Sequence, residues 1–234
     1  MGTSCYWRSL FPVTLVASRK SRHAVCSSAK RALHAEINND RNYVNILFEK
    51  TYNLCTHEAG EPWNGERFTQ IFHPEAHIHR FEHGLEVPFQ LEGSGDNNIW
   101  NSDLLQIDIA PVRVTSVHSL MNCFFGEAPS NIGSIEFKFE DGTAYAVEII
   151  VGKNIRDYYQ GLRYTASITD NHYVTEVMSP SAPTWIRLDM QTWIFPEEFH
   201  GKCLCGIAVS SVGMEPTGKL FIAALTATTV DVQE

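Results

Sequence analysis

From His73 almost to the C-terminal end, apolar and polar residues alternate with a period of two, the mark of half-buried β-strands. The clearest stretch is 133–151. There Ile135, Phe137 and Phe139 alternate with Ser134, Glu136 and Lys138, and Tyr145, Val147 and Ile149 resume after Glu140-Asp141-Gly142-Thr143. Asp-Gly between two alternating runs predicts a hairpin with a type I′ turn, which requires positive φ at both centre positions. Further strands are predicted at 87–91, 104–109, 112–123, 163–169, 184–190, 204–212 and 220–228. Pro, Gly, Asn and Ser clusters separate them at sandwich-like intervals. No long helix intervenes, so helical crossovers to a parallel sheet are not expected. Ahead of the strands the period is helical: Ile37, Val44, Phe48, Tyr52 and Cys55 recur at three-, four- and seven-residue steps over 32–56. Past Gly60-Glu61-Pro62, a shorter helix is predicted over 63–72, with Phe68, Ile71 and Phe72 apolar. The expected architecture is mainly β, an antiparallel two-sheet β-sandwich of jelly-roll type preceded by one or two helices. Its expected parts are a leader at 1–35, a helical segment running into a first strand at 36–83, and the sandwich at 84–230.

Charge divides the chain in the same way. The 234 residues carry 18 Lys+Arg and 27 Asp+Glu, a net charge of −9. Residues 1–35 contain Arg8, Arg19, Lys20, Arg22, Lys30 and Arg31 and no acid, which leaves 12 basic against 27 acidic residues, or −15, for the rest. A body that acidic argues against nucleic acid as a partner, because phosphate binding needs a basic face. With 44% hydrophobic and 19% charged residues the chain is expected to bury a core rather than remain disordered. The leader is Ser- and Arg/Lys-rich and is expected to be either disordered or a targeting segment for secretion or organelle import. Its apolar run at 10–17 is far shorter than the roughly 20 residues that span a bilayer, so no transmembrane segment is expected.

A resemblance emerges over 84–227. The run from Ile135 through Asp141-Gly142 to Gly152-Lys153-Asn154-Ile155-Arg156-Asp157-Tyr158-Tyr159 resembles carbohydrate-binding-module-like, galactose-binding-type β-sandwich domains. They place a strand, an Asp-Gly turn, a second strand and an Asn-Ile-x-Asp-aromatic-aromatic corner in this order. The stretch Val87-Pro88-Phe89 looks like their entry strand, and Lys219 to Thr226 looks like their closing strand. One departure is that the aromatic pair, usually Trp-Trp, is Tyr158-Tyr159 here. The resemblance implies a non-catalytic binding or interaction domain with a saccharide or protein partner. Residues 37–80 fall outside that module and are faintly similar to the opening of an NTF2/SnoaL-type cone fold, which would imply a small enzyme instead.

Two constellations carry candidate chemistry. Flat aromatic rings stack on the apolar C–H faces of sugars while Asp, Asn and Arg bind hydroxyls. The expected ligand-binding set is therefore Tyr158, Tyr159, Arg156, Asp157 and Trp100. Trp185 and Trp193 belong to the same aromatic inventory, and core filling is the expected role of both. The second constellation is histidine. His73, His77, His79 and His83 fall within eleven residues, and on a strand His77 and His79 share a face. His77, His79 and His83 are thus the candidate ligands of a divalent metal, the only cofactor considered, and of a metal-dependent enzyme built on 73–83. The oxygens of 93–98 read as a turn, with a calcium loop as the alternative. Outside the leader Cys55, Cys123, Cys203 and Cys205 form no Cys-x-x-Cys pair, and Cys203 and Cys205, two apart in a strand-like run, read as core residues. Neither Gly-x-Ser-x-Gly nor a Gly-rich phosphate loop is present, so no catalytic residue is expected.

Overall fold

The alternation becomes ten strands among the described residues: β1 Tyr43–Ile46, β2 His77–Arg80, β3 Pro88–Leu91, β4 Leu104–Phe124, β5 Ser130–Phe139, β6 Ala144–Val151, β7 Val174–Met178, β8 Leu188–Ile194, β9 Cys203–Ser211 and β10 Lys219–Thr229. The computed structural model describes residues 43–48, 51–53, 75, 77–82, 86–92, 98–161, 165–170, 173–180, 185–213 and 218–230. The expected leader and the expected helix at 63–72 lie outside them. Every strand pairing is antiparallel, as a two-sheet sandwich without crossover helices requires.

One strand ties the two sheets together. The 21-residue β4 pairs through its first half with β9, and through its second half with β10 on one side and β8 on the other. It therefore closes the sheet β4-β9-β5-β6 and lies inside the sheet β1-β10-β4-β8-β7. Two strands were expected here, at 104–109 and 112–123, with Pro111 between them. The chain runs through instead, because Pro111 falls in the register shift between Asp108 and Val112, where the ladder asks for no N–H from it.

The space between the sheets is hydrocarbon. Val117, Met121, Leu220, Ile222, Leu225 and Trp193 from one sheet meet Ile107, Ile135, Phe137, Ile149, Leu204 and Val209 from the other. Burying one side chain of this size contributes about 1.5–3 kcal/mol. Phe195 stands edge-on between Phe137 and Phe139, with centroids 5.1 and 5.4 Å away. On β10 a register shift between Ile222 and Ala224 moves the inward set from even to odd positions, keeping Leu225 and Ala227 in the core. The opposite face of β10 and β4, with Phe221, Ala224, Leu120 and Phe124, packs under the β2–β3 pair through Phe81, Phe89 and Leu91.

Four local expectations are corrected. Tyr43–Ile46 is not helical: it is a strand paired with β10 from Thr228 to Leu225, so the helical spacing over 32–56 does not hold there and this segment belongs to the sandwich sheet. Residues 165–169 are not a strand, because their backbone closes loops instead; Thr165 and Thr169 donate to the carbonyls of Gly126 and Gly152. The strand expected at 184–190 lies at Leu188–Ile194, and its partner β7 was not anticipated. Finally, the Asp-Gly hairpin is not type I′. Gly142 N–H donates to Phe139 O at 2.9 Å and Gly142 alone takes a positive φ, 84°, which is a type I turn followed by a left-handed glycine. The Asp141 carboxylate accepts from Thr143 N and Oγ1 and pairs with Lys202, and these bonds lower its pKa to about 2.

Candidate functional site

The corner after β6 begins with Gly152 at φ 81°, where a Cβ would come within 2.6 Å of the Ala128 side chain. Asn154 closes the strand end: its Oδ1 accepts from Ile150 N and its Nδ2 donates to Glu148 O. The next residues zip onto β4. Cys123 N donates to Arg156 O and Tyr158 N donates to Cys123 O. On the other side Arg187 N donates to Tyr158 O and Gln160 N donates to Trp185 O. Isolated bridges thus seat the corner between the end of β4 and residues 185–187, parallel to β4 at Cys123 and Asp157 and antiparallel at Tyr159 and Ile186.

Charge holds it in place. The Arg156 guanidinium forks onto Asp189, with Nε to Oδ2 at 2.8 Å and Nη2 to Oδ1 at 2.7 Å, and Nη2 also reaches Glu176 Oε2 at 2.7 Å. Asp189 is fully buried and also accepts from Asn122 Nδ2 at 2.7 Å. Arg187, 3% exposed, sits 3.7 Å from Glu176 and shares the Ala166 carbonyl with Arg156. Burial lowers the pKa of both arginines. For Arg156 the bonds and charge of Asp189 outweigh it and the net shift is upward; for Arg187 the neighbouring Arg156 adds to the fall. Asp157 is also fully buried, and its two oxygens accept from Gly126 N at 2.9 Å and Tyr159 N at 2.7 Å. Burial dominates there and raises its pKa to about 6.

The structure brings four of the five expected ligand-binding residues together, in roles of its own. Arg156 and Asp157 are spent on the network. Tyr158 is buried against Phe124 and Phe221, with centroids at 5.2 and 6.1 Å, and Tyr159 is half-buried beside it. Trp100 lies apart, 1% exposed in the core between the sheets, where neither ring face is open. Trp193 is in the core as expected, its Nε1 donating to Ser119 Oγ at 2.9 Å. Trp185 is not: it is 44% exposed, and at the other flank of the corner Phe125 is 42% exposed. Both have left-handed backbones, at φ 53° and 61°. A non-glycine residue in that region costs about 1–3 kcal/mol and persists only where its surroundings impose it.

Of the metal candidates, His77 and His79 do share a face of β2, with ring centroids 5.9 Å apart, and His79 packs on Phe81. His83 lies outside the described residues, among which no group of three or more His, Cys, Asp or Glu is placed to hold a metal. Nor is any helix among them long and apolar enough to cross a membrane. Sequence reasoning passed over Phe125, Asn122, Glu176, Arg187 and Asp189. The last three lie 20 to 33 residues from Arg156, so no local motif links them. No protein-family model matches the chain, and comparison with curated proteins returns no match.

Proposed function

We propose that this protein is a non-catalytic β-sandwich binding domain that takes a saccharide at its corner. The observation that carries the reading is the pair of exposed aromatics, Phe125 and Trp185, held in left-handed backbone on either flank of Tyr158-Tyr159. A core has no use for exposed rings, and a fold gains nothing from strain at exposed positions, whereas a ligand that stacks on fixed rings does. The half-buried Tyr159 and the exposed Gln160 complete the surface between them. Arg156 and Asp157 position this surface and do not meet the ligand.

A glycan array followed by titration calorimetry tests the proposal. Trp185→Ala and Phe125→Ala are expected to weaken binding tenfold or more while leaving the fold intact, since neither ring is buried. Tyr158→Ala is the wrong probe, because it removes a core side chain. Absence of wild-type binding across a broad panel overturns the saccharide assignment and leaves a protein surface as the partner class.

A further inference from the structure

The alternation of β9 sets two thiols on its outer face. Leu204 and Ile207 turn into the space between the sheets and are buried, whereas Cys203 and Cys205, on either side of Leu204, are only half-buried. Both cysteines were expected in the core. In a strand the neighbours of an inward residue point the other way, and Leu204 takes the core position. Cys123, by contrast, is fully buried on β4, and all three are free thiols. The exposed Arg113 of β4 stands directly across from Cys203. Cys205 falls in a gap of both ladders, between Leu204 and Gly206, so no residue of β4 or β5 is paired directly across from it. Its Sγ–H donates to the Lys138 carbonyl at 3.4 Å.

We propose that Cys203 and Cys205 form a two-thiolate site for a soft monovalent cation, copper(I). Spacing comes first. Residues two apart on a strand have Cα atoms about 6.5–7 Å apart, with both side chains on one face. Two sulfurs in line through a metal, with bonds of about 2.3 Å, stand about 4.5 Å apart, a gap that two such side chains can close. The same Cα spacing lies at the long end of what a disulfide accepts, about 4.4–6.8 Å, so the pair is better set to clasp an ion than to oxidise together. Ligand number chooses the metal. Zinc takes three or four protein ligands, and among the described residues no group of three or more His, Cys, Asp or Glu is placed to supply them. Thiolate softness favours copper(I), which two sulfurs satisfy. On binding, each thiol releases its proton to water, two S–Cu bonds form and no electron moves, leaving a complex of charge −1. Arg113 across from Cys203 offers the balancing positive charge. Of the other charges near this strand, Lys138 is paired with Glu136, Lys202 is paired with Asp141, and Asp108 stands across from Gly206.

Competition for copper(I) between the full chain, reduced and kept free of oxygen, and the chromogenic chelator bathocuproine disulfonate tests it. The wild type is expected to withhold one ion more than Cys203→Ser, Cys205→Ser or the double variant, and Cys55→Ser should match the wild type. In mildly acidic solution the affinity for that ion should rise about a hundredfold per pH unit, because two protons leave as it binds. Serine replaces a single atom on an outward face, so the variants should keep the circular dichroism of the wild type. Should one fail to fold, alkylation of the wild type read by mass spectrometry is the second measurement: copper(I) should shield Cys203 and Cys205 together. Equal withholding by the double variant, shielding of only one of the two thiols, or zinc held as tightly as copper(I) overturns the site. None of these outcomes depends on the saccharide reading, since no residue of the aromatic corner takes part.

Discussion

The interior between the two sheets and the network under the corner at Arg156–Tyr159 both exclude water, yet they are held by opposite means. Between the sheets Phe137, Ile135 and Val209 exclude water with hydrocarbon, and each contact is replaceable by another of similar volume. At the corner Arg156, Asp189 and Asp157 exclude water with charge, and each group depends on its particular partner. Non-directional packing tolerates substitution and builds the scaffold. Directional pairing tolerates little and fixes a backbone that packing alone would not hold, including two aromatic residues in left-handed geometry.

The largest effects should come from truncation in either region. Phe137→Ala is expected to cost about 3–5 kcal/mol in urea unfolding. Asp189→Ala should cost about as much, because it removes the buried partner of the Arg156 fork and strands the buried Asn122 amide. The regions part company on repair. In a double-mutant cycle Arg156→Leu with Asp189→Leu should show a coupling of about 1–3 kcal/mol, the pair losing less than the sum of its members. A coupling near zero would mean that the corner is held no differently from the interior between the sheets.

Next come two pH effects of opposite sign. His118 is buried, bonded to Thr192 and Thr228 hydroxyls, and burial lowers its pKa to about 4. The unfolded chain takes this proton first, so the stability tied to His118 is present above pH 6.5 and drains away towards pH 4. Asp157 runs the other way. The folded chain takes its proton first, so the associated stability is full below 3.8 and is lost as pH rises through about 6. At about 1.4 kcal/mol per unit each amounts to about 3 kcal/mol, and they nearly cancel in the wild type. His118→Gln should therefore unmask a protein more stable at pH 4.5 than at pH 7 by urea midpoint. A His118→Gln curve with no acid gain would contradict the burial shift at Asp157.

Smaller still is Trp185→Gly, which frees a left-handed residue from strain. It should leave stability unchanged or raise it by about 1 kcal/mol while weakening the proposed saccharide binding tenfold or more. A clear loss of stability would show Trp185 to be part of the packing. The exposed Lys202–Asp141 pair sits at the bottom of the scale: Lys202→Gln should leave the unfolding midpoint unmoved.

Legibility follows the same division. The strands β5, β6, β9 and β10 could be read directly, because one face of each meets hydrocarbon and the alternation records it. The four-residue β1 could not, since Val44 fits a helical spacing with Phe48 and Tyr52 and only pairing with β10 makes Tyr43–Ile46 a strand. At the corner the residues themselves stood out, but their roles did not. Nothing near Arg156 announces Asp189 or Glu176, and the left-handed residues Phe125 and Trp185 stand beside hydrogen bonds to partners distant in sequence, Gly126 N to Asp157 and Gln160 N to Trp185 O. Trp185 was expected in the core because large aromatics usually fill one, and it is 44% exposed instead.

The shared strand β4 also has a consequence in time. Its partners β8, β9 and β10 start at residues 188, 203 and 219, so Leu104 waits for Ser210 and Cys123 for Leu220. On the ribosome, then, the strand that joins both layers is made about a hundred residues before it can be paired, and its unsatisfied edges are exposed throughout that interval. This topology defers assembly of the sandwich until β10 has been made and makes the nascent chain, rather than the finished domain, the form most exposed to misassociation.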